Sequence, residues 1–293
     1  MSSRQPLWLY SSDMSLATRT SSPERGAKTY LLTVLGELVA PDGREVWQEN
    51  LVGALTSLDF SPAAARQVIA RASQDGWLTS KRVGRRSLMT ITDSAWGMLH
   101  DGRERTLSFG VPQQWDERWL VVALTVPETQ RQIRYHLRTE LAWLGYGSLG
   151  NGVWISPHTR YEAETMHLLS SNEGLADAYV FVSETPLRHT PRSIAREAWD
   201  LDALLARYTS FLERFEDARP KEPQQVFTSW IELFTSWRHF PLFDPELPDS
   251  LLPTSWPRSQ SRALFVELES QWSEPAHAYF RGLVTESGGL SSL

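Results

Sequence analysis

The stretch "SPAAARQVIARASQDGWLTSKRVGRRSLMTIT", Ser61 to Thr92, constrains the fold of this chain more than any other. A helix that opens on Ser-Pro has Ser61 as its N-cap and Pro62 at its first position, where a missing N–H costs nothing. At ~100° per residue, Ala65, Val68, Ile69 and Ala72 share one side and form an apolar stripe that must be buried. Arg66, Gln67, Ala70 and Gln74 fall opposite, with Arg71 on their flank. Gly76 fits the left-handed position that ends a helix. The period then changes. Trp77 and Leu78 start a strand, a turn falls near Val83-Gly84, and Leu88, Thr90 and Thr92 alternate on the return strand. Thr92 or Asp93 is placed to cap another short helix.

Two helices precede this stretch. From Thr29 onward, Leu31, Leu32, Leu35, Leu38 and Val39 follow helical spacing; "APDGRE" breaks it; a second helix carries Leu51, Leu55 and Leu58. Three helices and a basic two-stranded hairpin make a winged helix–turn–helix, whose third helix enters the DNA major groove. Arg66, Gln67, Ala70 and Arg71 are then the reading face. An arginine fork suits guanine, glutamine suits adenine, and a small alanine lets the face come close. Lys81, Arg82, Arg85 and Arg86 are the wing cations for phosphate or the minor groove. Two other readings of the basic run stand beside this one. It could be a solvated hairpin tip. A nucleotide-phosphate loop fits less well, because such loops run from a strand through a Gly-rich turn and Lys-Ser/Thr into a helix, and here a single glycine leads into a strand.

Charge bears on the choice. The chain is acidic, with formal net charge −6, which argues against nucleic acid coating the whole surface. Within Arg66–Arg86, however, six basic residues face one acid, Asp75. The charge is segregated, so a basic module can sit on an acidic body. With no cysteine, disulfide scaffolds, cysteine zinc sites and cysteine nucleophiles are excluded. No signal peptide and no apolar run of ~18–20 residues is read, and a cytoplasmic location is expected. The seven histidines show no metal-ligand spacing; His158 and His167 lie nine apart without a third partner on one helix face. No G-x-S-x-G elbow occurs. Neither catalytic residues, nor a metal, nor a cofactor is expected.

The rest of the chain changes character twice. Residues 1–27, rich in Ser, Thr and Arg, read as a disordered arm. "WDERWLVVALTVPE" gives a buried strand from Trp119 to Val126, followed by a helix from Glu128 to about Leu144. "GYGSLGNGVWISP" gives glycine-rich turns and a strand through Trp154 and Ile155; a helix around Arg160–Ser170 and a strand in "ADAYVFVSE" follow. The order β-α-β-α-β, with room for extra strands, suggests a small ferredoxin-like module. The last third is helical. Leu201, Leu204, Leu205, Tyr208, Phe211, Leu212 and Phe215 line one long helix, and a second spans about Pro223–Arg238. A Pro-rich connection then leads to a helix near Ser259–Trp272 and a short one after Pro275. The expected organisation is multidomain α+β: arm 1–27, winged helix–turn–helix 28–110, ferredoxin-like α/β module 111–190, C-terminal helical domain 191–293.

Five stretches resemble the PaaX-like family of transcriptional regulators, the phenylacetic-acid degradation repressor family. They are "LLTVLGELVAP", "ARQVIARASQDGWLTSKRVGRRS", "WDERWLVVALTVPE", "LRTELAWLGYGSLGNGVWISP" and "WRHFPLFDPELPDSLLPTSWP", spread from about Thr29 to Leu283. The resemblance implies a central module like the CRISPR-associated Cas2 fold. It also implies a homodimeric repressor on palindromic double-stranded operator DNA, released by an aryl- or acyl-coenzyme A thioester. The sequence departs from the family's pattern at Ala72, where Leu is usual, at Leu88, where an aromatic is common, and at Thr125, where Asp is common. A Cas2-type nuclease needs an acidic ligand at that strand end, because hard cations take oxygen ligands. Loss of the ligand weighs against a metal-dependent nuclease. An acyl-CoA-handling enzyme and a ligand-independent DNA-binding scaffold also compete with the repressor. For the effector, "SWRHFPLFDP" offers Trp237, Arg238, His239 and Phe240 beside a helix end, with Asp244 placed to hold Arg238. A purely structural Arg–Asp pair is the competing reading. The effector is expected between the central and C-terminal domains.

Overall fold

The computed structural model describes residues 23–127, 129–171 and 177–283, with side chains from residue 26. Most of the arm expected over 1–27, and Glu128, lie outside the described residues. The chain divides into two compact units: Met1–Arg103 with Pro220–Thr235 and Gln271–Leu293, and Glu104–Arg219 with Ser236–Ser270.

In the first unit, α1 (Pro23–Val34) runs into a π-helical turn, Leu35–Val39. It starts six residues before the apolar periodicity that announces it, because proline suits a first turn and carries no stripe of its own. Then come β1 (Glu45–Trp47), α2 (Gln48–Ser57), α3 (Pro62–Gln74), β2 (Leu78–Val83), β3 (Arg86–Ile91) and α4 (Asp93–Ser108). Thr92 accepts a hydrogen bond from the Ala95 N–H as the N-cap of α4, which runs 16 residues and is not short. The three strands form an antiparallel sheet in the order β1-β3-β2. Leu31, Val34, Leu35, Leu51, Leu55, Ala65 and Ile69 are buried in this unit as its core. Glu37, nearly buried, is matched by Arg103 at 2.9 Å.

The second unit holds β4 (Trp119–Thr125), α5 (Arg131–Trp143), β5 (Gly147–Gly150), β6 (Val153–Ser156), α6 (Glu162–Ser170) and β7 (Asp177–Ser183). The strand order β5-β6-β4-β7 is antiparallel throughout. A β-α-β-β-α-β chain in that order is a ferredoxin-like sheet. Central β4 is apolar along both faces because both are covered. Trp119 and Val121 point to a cluster with Ile194, Leu201, Leu247 and Leu252, whereas Leu120 and Val122 point to Leu137, Leu141 and Tyr146.

The remaining helices are α7 (Pro191–Ala198), α8 (Leu201–Phe215), α9 (Pro223–Trp237), α10 (Phe240–Phe243) and α11 (Arg258–Gly282). On α8, Leu201, Leu204, Tyr208, Phe211 and Phe215 are buried, while Leu205 is exposed. The break expected at Pro275 does not occur: α11 passes through it. Proline costs a helix interior ~3 kcal/mol. Packing of the following turns offsets this, with Ala276 and Phe280 buried and the Phe280 carbonyl accepting from Asn50.

Candidate nucleic-acid interface

Ser61 caps α3 as its sequence requires, its hydroxyl accepting from the Ala64 N–H. Ala65, Val68, Ile69 and Ala72 are the buried residues of α3. Arg66, Gln67, Ala70 and Arg71 are all exposed on the opposite arc. The Arg66 guanidinium reaches back to the Pro62 carbonyl at 3.5 Å, along its own helix. Gly76, with φ +78°, turns the chain into the hairpin.

The hairpin is closed by a two-residue loop, Gly84-Arg85, since Val83 pairs with Arg86. Gly84 has φ +61° and Arg85 lies outside the left-handed region, the type II′ pattern that places glycine first. Lys81, Arg82 and Arg85 are exposed. The Arg82 Nε donates to the Gly84 carbonyl at 3.3 Å and stiffens the tip. Arg86 behaves differently. Its guanidinium sits 4.2 Å over the Trp47 ring, and its Nε lies 3.6 Å from the Glu49 carboxylate. The register explains this: Trp47 pairs with Leu88, so Arg86 is its diagonal neighbour on the same sheet face. Arg86 therefore ties β3 to β1 and the start of α2, a role hidden from sequence because β1 has only three residues and no periodic signal.

The effector candidates fall elsewhere than expected. Trp237 is fully buried, donates its indole N–H to the Thr106 carbonyl, and stacks 5.0 Å from Phe265. Phe240 lies 4.3 Å from Tyr208 in a parallel stack. Both rings are core, with no face open to a ligand. Arg238 and His239 are half-buried. Asp244 is held by Arg258, not Arg238: Nε and an Nη each donate to one carboxylate oxygen at 2.9 Å. Tyr208 donates to the same carboxylate, and Arg258 also donates to the Leu247 carbonyl. Burial disfavours the Arg258 charge, but the Asp244 carboxylate outweighs burial and lifts the guanidinium above the ordinary arginine range. Burial, and then the same carboxylate, raises the Tyr208 hydroxyl. A buried fork of this kind is a clamp for the segment after α10.

Beside that clamp is a cavity of about 120 Å³. It lies between the end of α5, the His158–Tyr161 turn and the segment Pro241–Glu246. His158 Nε2 is 2.6 Å from the Pro245 carbonyl, and burial pushes this imidazole down to about 4. Sequence reading missed this place. The signal was present in two of the quoted stretches, "LAWLGYGSLGNGVWISP" and "HFPLFDPELP", which meet there. Among the described residues no three His, Cys, Asp or Glu side chains gather as a metal set. Thr125 ends β4, exposed. No described helix is long and apolar enough to cross a membrane.

Comparison with known proteins agrees over most of the chain. Three models of one family match in succession: the PaaX-like protein model over residues 26–95, the PaaX protein central Cas2-like domain over 112–195, and the PaaX-like protein C-terminal domain over 199–282. The transcriptional repressor PaaX of Escherichia coli (strain K12) is 27% identical over 271 residues, covering 88% of this chain and 83% of that protein. The uncharacterized protein Rv0674 from Mycobacterium tuberculosis has a similar fold, with a TM-score of 0.60 at 20% identity, over 86% of this chain and 97% of that one.

Proposed function

We propose, from the premise that the chain belongs to the PaaX-like family, that it is a DNA-binding transcriptional repressor acting as a homodimer. The observation that carries the reading is the α3 surface. Arg66, Gln67, Ala70 and Arg71 stand exposed on the arc away from a buried stripe, and a hairpin with exposed Lys81, Arg82 and Arg85 follows at once. In this reading α1–α3 and the β2–β3 hairpin are the winged helix–turn–helix expected over residues 28–110, with its first helix beginning earlier, at Pro23. Here α3 enters the major groove and the hairpin touches phosphate. The ferredoxin-like sheet, within 111–190, is the Cas2-like module, and 191–293 supply the helical domain. Arg86 braces the wing and leaves the other three cations to the DNA.

The same reading gives the protein an aryl- or acyl-coenzyme A thioester as its releasing signal. Such a ligand must bind the DNA-incompetent state more tightly, since equal affinity for both states shifts nothing. It is a binding protein, not an enzyme: the named relative is a repressor, and Thr125 stands where a Cas2-type nuclease needs an acidic ligand. A gel-shift titration on the intergenic DNA beside its own gene, with and without a panel of acyl-coenzyme A thioesters, tests this. Binding lost on Arg66→Ala with Arg71→Ala, and reversed by one thioester, is the expected result. DNA cleavage, thioester turnover or indifference to DNA would each overturn it.

A further inference from the structure

The cavity beside the Asp244–Arg258 clamp is an unassigned feature of the second unit. Resting on the effector reading above, we propose that it seats the aromatic or short acyl group of the ligand, with the ligand's anionic portion held at its mouth. Size sets the first limit. About 120 Å³ is near the ~150 Å³ in which an apolar cavity holds a benzene ring. One ring or a short acyl chain fits, and a nucleotide does not.

Chemistry sets the second. Trp143, Tyr161 and Phe243 supply aromatic walls, the usual lining for a small-molecule site. Two cations border them. Arg105 lies 4.1 Å over the Trp143 ring, and exposed Arg160 lies 4.8 Å over Tyr161. The carboxylates on the same wall are already engaged, Asp244 by Arg258 and Glu246 by the Gly110 N–H. Asp244 is neutralised by Arg258, whereas Glu246 keeps its charge, so the lining holds two arginines against that one carboxylate. Trp199 adds a buried indole N–H with no hydrogen-bond partner among the described residues, a donor suited to a carbonyl oxygen. A hydrocarbon would leave that donor unmatched. A ring or acyl group carrying a carbonyl and an anionic tail uses all three elements. An acyl-coenzyme A thioester and a free aromatic carboxylic acid share this chemistry.

Calorimetric titration of the full chain with benzoyl-coenzyme A, phenylacetyl-coenzyme A, acetyl-coenzyme A, coenzyme A and sodium phenylacetate separates the sources. Two variants locate the site: Arg160→Ala removes a cation, and Ala142→Trp, on the exposed side of α5 at the rim, narrows the mouth. Both positions are exposed, so a thermal melt checks folding. Expected is saturable binding of an acylated probe, or of the free acid, weakened at least ~10-fold by each variant. Wild-type Kd in both variants would place the ligand elsewhere and overturn the site, while the effector reading survives. No heat with any probe up to ~1 mM would remove both.

Discussion

Arg85 and Arg86 are adjacent, alike and exposed to the same sequence argument, yet the fold separates them. Arg85 is at the free tip of the hairpin, and Arg86 lies over Trp47 beside Glu49. Arg85→Ala should weaken binding to every DNA sequence and lower the log–log salt slope by about one, the value for one lost phosphate contact. Arg86→Ala should leave that slope unchanged and cost roughly 0.5–1 kcal/mol of stability, the scale of a half-exposed cation–π contact with a weak ion pair. Equal slopes for the two variants would refute the division. His158 gives a second residue-scale prediction. Its imidazole titrates at about 4 in the fold against about 6.5 unfolded. Between those values the unfolded chain binds more protons, so stability falls as pH falls from 6.5 to 4. His158→Gln should remove about 3 kcal/mol of that loss, read as the difference between wild-type and variant urea unfolding across the window.

At the scale of elements, legibility followed periodicity. The α3 stripe repeats over about two turns, and all four of its residues are the ones buried. Strand β1 has three residues and exists only through its pairing with β3, so no local pattern announces it. Strand β5 hides in "GSLG", because glycine carries no alternation. Helix α7 is announced by a Thr190 capping box rather than by a stripe, and α11 overrides its proline through contacts distant in sequence. The partner of Asp244 is 14 residues away, across a loop with no repeat to count along. One glycine shows how tightly such an unannounced element is specified. Gly152, between β5 and β6, has φ +79°, and a Cβ there would come 2.2 Å from the Leu124 carbonyl oxygen. Gly152→Ala should therefore cost roughly 2–4 kcal/mol from strain and overlap together. A urea midpoint within error of wild type would contradict this.

For the whole molecule, the charge pattern and the proposed pairing of reading heads lead to one prediction about DNA. The chain's net charge of −6 repels DNA in general, so affinity must come from the basic module. One such module offers a short helix face and three exposed wing cations, too little for tight and selective binding against a genome of competing sites. Two modules related by a two-fold axis multiply their contributions, provided both heads meet the same side of the duplex. That requires half-sites centred a whole number of turns apart, about 10–10.5 base pairs or a multiple. Five base pairs inserted between the half-sites turn one of them to the far side of the helix. Affinity should then fall to that of a single half-site, a loss of ~100-fold or more, and a ten-base-pair insertion should do less harm. A gel-shift series over insertions of zero, five and ten base pairs reads this directly. A smooth decline with length, without the helical alternation, would mean that the two heads do not act as a fixed pair.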